Sequence, residues 1–260
     1  MAANLTLFFY VASMAFGLLY GGFRKRALFL LCAFSMIAGF AAQTVDLAAR
    51  WGASSIIPAT NLNEICEATS WGLVAIFLAF GALLKNRVFV FFLTPLVVFF
   101  QMAARLIPLV AKEPKPFYYT PWFALHISLL TIGIGFFLYS FIYSSIFIMQ
   151  DHSLRHHRQP IALKLPSLEE SVRWATRFLV SGYVLYTAGL LSSAIYGAVH
   201  GAKDRWHPGL LEAASLAVWL ILGFAIYGWA TAKLNPRKRS WLVIAGAAST
   251  LLIILGILWH

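Results

Sequence analysis

Charge is what this sequence has least of. Only 11% of its 260 residues are Asp, Glu, Lys or Arg, whereas a soluble domain is about 25% charged. Hydrophobic residues make up 61% of the chain, which is more apolar surface than folding alone can hide from water. This composition excludes an ordinary soluble domain and indicates a protein whose solvent is the lipid bilayer.

Several motifs of known chemistry are also missing. Two cysteines are too few for a disulfide framework, and there is no CxxCH for covalent haem attachment. No HExxH, GxSxG or paired-carboxylate signature stands at the end of an apolar run, so we expect no enzymatic activity. The excess of cations forms no basic domain, which argues against nucleic-acid binding.

Long apolar runs are what the sequence has instead. A helix needs roughly 20 apolar residues to cross a bilayer, and the periodicity is helical rather than the alternation of barrel strands. We therefore predict an all-α fold, a polytopic transmembrane helical bundle that forms a single domain over residues 1–260. About eight spans are expected: Leu5–Gly22, Ala27–Thr44, Trp71–Leu84, Val88–Val110, Trp122–Met149, Ala175–Val199, Leu210–Ala232 and Trp241–Trp259.

Local signals predict where some of these helices begin and end. The short run Trp71–Leu84 can extend back through the weakly polar EICEATS. SLEE, with Ser167 and Glu170, is a capping box that starts the sixth helix. LNPRKR is predicted to end the seventh helix.

The loops between the apolar runs differ in charge and so predict an orientation. Cations concentrate in Arg24–Arg26, Lys85–Arg87, the loop around His156 and Lys233–Arg239, whereas the other loops mix fewer cations with acids. By the positive-inside rule the first set is cytoplasmic, and both termini lie on the outer side. The expected location is a bacterial inner membrane, as a multi-pass protein.

Histidines on the outer side are the candidate ligands. His126, about one turn inside the fifth run, is an ionisable residue within a span, which marks a functional site. His260 ends the eighth run at a matching depth, and two neutral imidazoles at one depth suit a six-coordinate haem iron. The ordinary alternatives are a hydrogen bond to a neighbouring helix and an exposed helix end. His200 or His207, in an outer loop, could add ligands for zinc or replace a predicted haem ligand.

Aromatic and cationic residues complete this predicted site. Trp206 belongs to a group of outer tryptophans, which form either an aromatic belt or a surface for a flat cofactor. Arg105 interrupts an apolar run and Arg50 is a second outer cation, and a haem propionate would suit either, since guanidinium binds carboxylates through two hydrogen bonds. The acidic alternatives for the partner of Arg105 are Asp46, Glu64 and Glu67.

Three segments, in order along the chain, resemble the CcsA/HemX-like family of cytochrome c assembly proteins. They are RWGASSIIPATNLNEICEATSWGL from Arg50, ALHISLLTIGIGFFLYSFIYSSIFIMQ around His126, and LPSLEESVRWATRFLVSGYVLYTAGLLSSAIYGA from Leu165. The resemblance implies a helical bundle that carries haem b, bound non-covalently, at its outer face. It also implies that two outer histidines ligate the iron beside a tryptophan-rich loop, WGxYWxWDPKE. By position these are His126 and His260.

The sequence departs from the family pattern at that loop and at the inner side. In AVHGAKDRWHP only Gly201, Trp206 and Pro208 keep the pattern, and His207 stands where the family has Asp. Tyr227 stands where the family has an inner-side His. The departures concern delivery of haem to an apocytochrome and a second, inner haem site, whereas the outer pair of histidines is kept.

The functional hypothesis is an integral membrane protein that holds or translocates haem at the outer membrane face, in cytochrome c assembly or haem homeostasis. Its expected partners are haem, the lipid bilayer and other assembly proteins. The alternative is a membrane regulator or scaffold that binds a haem-biosynthesis enzyme, glutamyl-tRNA reductase, through the cytoplasmic loop Asp151–Arg177. A transporter of another small molecule is disfavoured, because few polar residues lie near the middle of the runs.

Overall fold

Helices account for the regular structure of the described chain. The computed structural model describes residues 2–84, 89–107, 116–156, 165–200, 210–231 and 233–256. Those residues form eight α-helices and a 3-10 helix at Pro116–Tyr119, with no strand among them. The α-helices are α1 (Ala2–Phe23), α2 (Arg26–Ser54), α3 (Leu62–Leu84), α4 (Phe89–Leu106), α5 (Pro121–Arg155), α6 (Leu168–His200), α7 (Leu210–Ala230) and α8 (Pro236–Gly256). The predicted all-α fold is confirmed for this part of the chain.

Six helices in the described ranges are long and apolar enough to cross a membrane, namely α1, α2, α3, α5, α6 and α7. The apolar part of α4 is shorter, Val90–Leu106, and contains Pro95. The end of the predicted eighth span, from residue 257 onward, lies outside the described residues. A multi-pass membrane protein is thus supported, while the count of eight spans and the sides of the termini stay predictions.

Helix starts follow from local sequence. The Ser167 Oγ accepts the Glu170 backbone N–H at 3.1 Å, so Ser167 caps α6 through the first of the two hydrogen bonds of the predicted capping box. Asn235 Oδ1 accepts the Lys238 N–H at 2.8 Å and thereby caps α8, which begins at Pro236. The LNPRKR stretch therefore starts α8, whereas α7 already ends at Ala230. α3 begins at Leu62, in line with the predicted backward extension.

The chain divides into two compact units, Met1–Thr120 and Pro121–His260. In the first unit α1 packs on α2 and α4, and α3 packs on α4 and more lightly on α2. In the second unit α5 packs extensively on α6 and also on α8, while α7 packs on α8 and α6. Each unit is therefore a ring of four helices. The single domain predicted over residues 1–260 stays a prediction, since this division rests on helix packing alone.

A chain of polar side chains runs through the interior of the first unit. Tyr10 Oη donates to Gln43 Oε1 at 2.8 Å. Gln43 Nε2 donates to Ser70 Oγ at 3.0 Å, and Gln101 Nε2 donates to the same oxygen at 2.7 Å. All four side chains are buried and come from α1, α2, α3 and α4. Because an unpaired polar group is costly away from water, this network fixes how the four helices meet.

Close backbone approach and aromatic packing hold the second unit. A Cβ at Gly133 would stand 3.0 Å from the backbone nitrogen of Tyr186, and a Cβ at Gly182 would stand 3.0 Å from the Gly133 oxygen. Only glycine lets α5 and α6 come this close. Nearer the end of α5, the Tyr143 ring stacks on Phe178 of α6 at 6.0 Å between ring centroids.

Candidate functional site

His126 lies in the second turn of α5 and is tied to α6. Its Nδ1 is 2.8 Å from the carbonyl oxygen of Gly189. A carbonyl oxygen can only accept, so Nδ1 carries the proton. Ser192 Oγ lies 3.3 Å from the same nitrogen and donates to the same carbonyl at 2.7 Å. The imidazole is therefore held in the tautomer that has its lone pair on Nε2.

This contact depends on Gly189. A Cβ at that position would stand 2.7 Å from Leu130 Cδ2, so a larger residue would push α6 away at the level of His126. Nε2 makes no hydrogen bond to any described residue, and the ring is half-buried. A histidine that binds metal usually donates its other N–H to a backbone carbonyl or carboxylate, and that bond fixes the tautomer. His126 therefore has the hydrogen bonding expected of a ligand.

The predicted alternative for His126, a hydrogen bond to a neighbouring helix, is thus also present. It uses Nδ1, whereas ligation uses Nε2, so the two roles are compatible. Nothing in the sequence near His126 indicates Gly189, which lies 63 residues away. The contact follows from how α5 packs on α6.

Most of the other predicted ligands lie outside the described residues. His207, Trp206 and His260 lie outside the described residues, and so does the side chain of His200. The described part of the chain has no group of three or more His, Cys, Asp or Glu side chains placed to hold a metal ion. The pairing of His126 with His260 and the zinc alternative both stay predictions.

Arg50 is engaged with acidic residues of the first unit. Its Nη2 lies 3.1 Å from Asp46 Oδ2, one turn earlier on α2, and pairs with Glu67 Oε2 of α3. Its Nε is buried and has no hydrogen-bond partner among the described residues. Two of the acids that the sequence offered as partners of Arg105 thus engage Arg50, and a contact between Arg50 and a haem propionate stays a prediction.

Arg105 reaches the polar network of the first unit. Its Nη1 donates to the carbonyl oxygen and to the Oε1 of Gln101, both at 3.0 Å. Gln101 in turn bonds Ser70. Sequence reasoning missed this partner, although the spacing of four residues within one helix was a signal that could have found it. The propionate contact predicted for Arg105 remains untested by this geometry.

Tyr227, which stands where the related pattern has an inner-side histidine, lies near the end of α7. It is half exposed, and its Oη accepts a hydrogen bond from Lys233 Nζ at 3.2 Å. The same ammonium group lies 5.6 Å from the centre of the Tyr227 ring. Lys233 is the polar partner of Tyr227 among the residues that the structure describes.

Comparison with known proteins decides the family. The family described as Cytochrome C assembly protein matches residues 3–260. The chain belongs to this family. It is also similar to Protein HemX of Brevibacillus brevis, with 26% identity over 241 residues, 91% of this chain and 86% of that protein. The resemblance drawn from three segments is confirmed, and the family supports a haem-related role in a membrane.

Proposed function

We propose that this member of the cytochrome c assembly family binds haem b non-covalently near the outer membrane face, and that it holds or translocates haem without catalysing a reaction. One observation carries the proposal. The Nδ1–H of His126 donates to the Gly189 carbonyl, which leaves Nε2 as a neutral imidazole donor for iron. Bound haem supplies an iron that accepts two axial ligands.

The remaining roles in this proposal come from the sequence. His260 would provide the second axial ligand. Trp206 would cover a face of the porphyrin, and Arg50 and Arg105 would meet propionates. Membership of the family and similarity to Protein HemX support this assignment, as does the bacterial inner membrane expected for the chain.

The test is the absorption spectrum of the full-length protein, purified in detergent with its haem content measured. The unchanged protein should carry low-spin haem, with two imidazole ligands. Loss of a ligand in His126→Ala should abolish the low-spin bands and lower haem occupancy on the order of 10-fold or more. His260→Ala should do the same. For His126→Gly, added imidazole should restore the low-spin bands, because it can occupy the vacated position.

His152→Ala is the matched control. His152 lies on the same helix, but it is exposed near the opposite end, so its loss should leave the spectrum unchanged. If His126→Ala and His260→Ala both keep low-spin haem at the level of the unchanged protein, the ligand assignment is wrong. If the pure protein carries no haem and binds none when haem is added, the function itself is wrong.

The alternative function stays a prediction. A regulator acting through Asp151–Arg177 would need that segment to bind glutamyl-tRNA reductase. The segment predicted as a loop is helical at both ends, in α5 as far as Arg155 and in α6 from Leu168, and its residues 157–164 lie outside the described residues. The test is a pull-down of the enzyme by the full chain and by a chain with residues 157–164 replaced by a Gly/Ser linker. Capture that depends on the loop, together with unchanged haem content, would favour regulation.

A further inference from the structure

A cleft of about 820 Å³ opens in the second unit, far along α5 from His126. Phe147, which lines it, is 21 residues beyond His126, or roughly 32 Å at 1.5 Å per residue. The walls are mainly apolar. The lining residues are Phe147 of α5, eight residues of α6 between Leu168 and Ser181, Trp229 of α7 and Pro236 of α8.

Two cations stand at this cleft. Arg173 and Arg177 are one turn apart on α6, and both side chains are exposed. Arg177 lies over the ring of Trp174, 5.2 Å from its centre. Neither guanidinium forms an ion pair with a described residue, although the exposed carboxylate Glu169 also lines the cleft.

A third cation lies behind the cleft wall. Arg239 of α8 is 9% exposed, and it forms no ion pair with an acidic side chain of the described residues. It lines a small cavity together with Ser144, whose buried Oγ is likewise unpaired among those residues. Val172 and Thr176 line both the cavity and the cleft. The positive charge of Arg239 therefore lies behind the wall that the cavity shares with the cleft, and it adds to the charges of Arg173 and Arg177.

We propose that this cleft binds an anionic membrane phospholipid, with its phosphate near Arg173, Arg177 and Arg239 and an acyl chain along the apolar wall. Basic pockets between membrane helices bind acidic headgroups. The apolar wall favours a lipid over free phosphate. It also favours a lipid over haem, whose propionates share the same charge, because the described residues of the cleft lining include no His, Cys, Met or Tyr to ligate iron.

The experiment is native mass spectrometry of the full-length protein with phosphatidylglycerol and phosphatidylcholine of identical acyl chains. The unchanged protein should retain phosphatidylglycerol preferentially. Arg173→Gln combined with Arg177→Gln should reduce that preference on the order of 10-fold. Lys25→Gln combined with Arg26→Gln removes the same charge from exposed positions of the first unit and should leave the preference intact.

Two further variants keep the test independent of any folding defect. Ser181→Trp fills the cleft while every cation remains, and it should reduce binding of both lipids. Arg239→Met removes the third cation and leaves the residues that line the cleft unchanged. The same variant should weaken the stabilisation that phosphatidylglycerol provides.

The proposal is wrong if the Arg173/Arg177 variant retains phosphatidylglycerol as well as the control does. It is also wrong if inorganic phosphate displaces the lipid completely, or if the variant loses haem rather than lipid. Haem content measured on the same samples separates this result from the His126 assignment, since the two sites lie at opposite ends of α5.

Discussion

The helices of the two units are held together by different kinds of contact. In the first, Gln43, Ser70 and Gln101 join helices through buried hydrogen bonds. In the second, Gly133 and Gly182 let α5 and α6 meet backbone to backbone. Inside a bilayer apolar side chains gain little by leaving lipid for protein, so helices associate through polar bonds or through close contact of small residues. Both devices occur in each unit, since Gly39 of α2 packs closely on Tyr10 of α1 and Ser140 of α5 donates to the Ala175 carbonyl of α6, but the buried amide network is found in the first unit.

The difference bears on function. In the second unit, a hydrogen bond from His126 Nδ1 to the Gly189 carbonyl oxygen joins α5 to α6. A ligand on a helix that is held by tight packing has a fixed position, as a metal site requires. In the first unit the cations Arg50 and Arg105 are part of the network that joins its helices. Their loss would therefore affect stability as well as any contact with haem.

The largest effect is expected from Gly182→Ala. The added Cβ would stand 2.9 Å from Phe137 Cδ1 and 3.0 Å from the Gly133 oxygen, and overpacking of this kind costs about 1–3 kcal/mol. Gly197→Ala on the same helix meets nothing within 4 Å. It should be neutral or stabilise by about 0.5 kcal/mol, because alanine is the better helix former.

The unfolding midpoint of the second unit alone can be measured by heating the protein and monitoring the labelling of a buried thiol in that unit. Both native cysteines, Cys32 and Cys66, are buried in the first unit. A chain with both changed to Ser and with Ser140→Cys, a fully buried position of α5, would report on the second unit. If Gly182→Ala and Gly197→Ala unfold at the same temperature, close backbone contact between α5 and α6 does not stabilise the second unit.

A smaller effect is expected in the first unit from Gln43→Leu. This change leaves Tyr10 Oη without its acceptor and removes one of the two side-chain donors to the Glu67 carbonyl, which keeps Ser70 Oγ. The expected cost is about 1–2 kcal/mol. Earlier labelling of the native Cys32 and Cys66 on heating would show it. Thr94→Val is the control, since that buried hydroxyl donates to Val90 of its own helix. If Gln43→Leu unfolds at a temperature no lower than Thr94→Val does, the polar network does not stabilise the first unit.

Comparing Arg50→Gln with Glu67→Gln separates two roles of Arg50, its contribution to stability and its contact with haem. Both changes break the same ion pair, so each should cost up to about 1 kcal/mol in the melting of the first unit. Haem occupancy should fall a few-fold only in Arg50→Gln, because it alone removes a cation that can meet a propionate, a charge-assisted contact of about 1–2 kcal/mol. Equal haem occupancy in the two variants would assign Arg50 to stability alone.

The smallest effect is expected at the start of α6. Ser167→Ala removes the hydroxyl that accepts the backbone N–H of Glu170 in the first turn, and it should destabilise the second unit by about 1 kcal/mol. Ser167→Asp keeps an acceptor at the same position and should melt like the unchanged protein. Identical melting of all three chains in the Ser140→Cys background would show that this cap is not needed.

Predictions from the sequence succeeded where the cause is local. The helix cap at Ser167 and the backward extension of α3 depend on residues within a few positions of one another, and the structure has both. LNPRKR was correctly read as a helix boundary, yet it begins α8 instead of ending α7, because Asn235 and Pro236 suit an N-terminus as well. Local chemistry identified the boundary without saying which helix it serves.

The partners of the candidate site residues could not be predicted in the same way. The three acidic candidates were considered for Arg105, yet the packing of α2 on α3 brings Glu67 to Arg50, which also pairs with Asp46 one turn earlier. Arg105 donates to the backbone carbonyl and to the side-chain amide oxygen of Gln101, a residue that was not among the acidic candidates. Each choice depends on which helix faces surround the cation, and apolar periodicity inside a bilayer does not specify those faces.

By itself the sequence determined the membrane class, the helical fold and the family, because hydrophobic run length, charge and motif order are properties of the chain alone. Only the tertiary structure decided that the Gly189 carbonyl fixes the tautomer of His126, and that three arginines from α6 and α8 lie around one cleft and its neighbouring cavity. These features join residues that are far apart in the sequence. They exist because helices pack at particular faces, and packing is settled by the shapes and hydrogen bonds of several helices together.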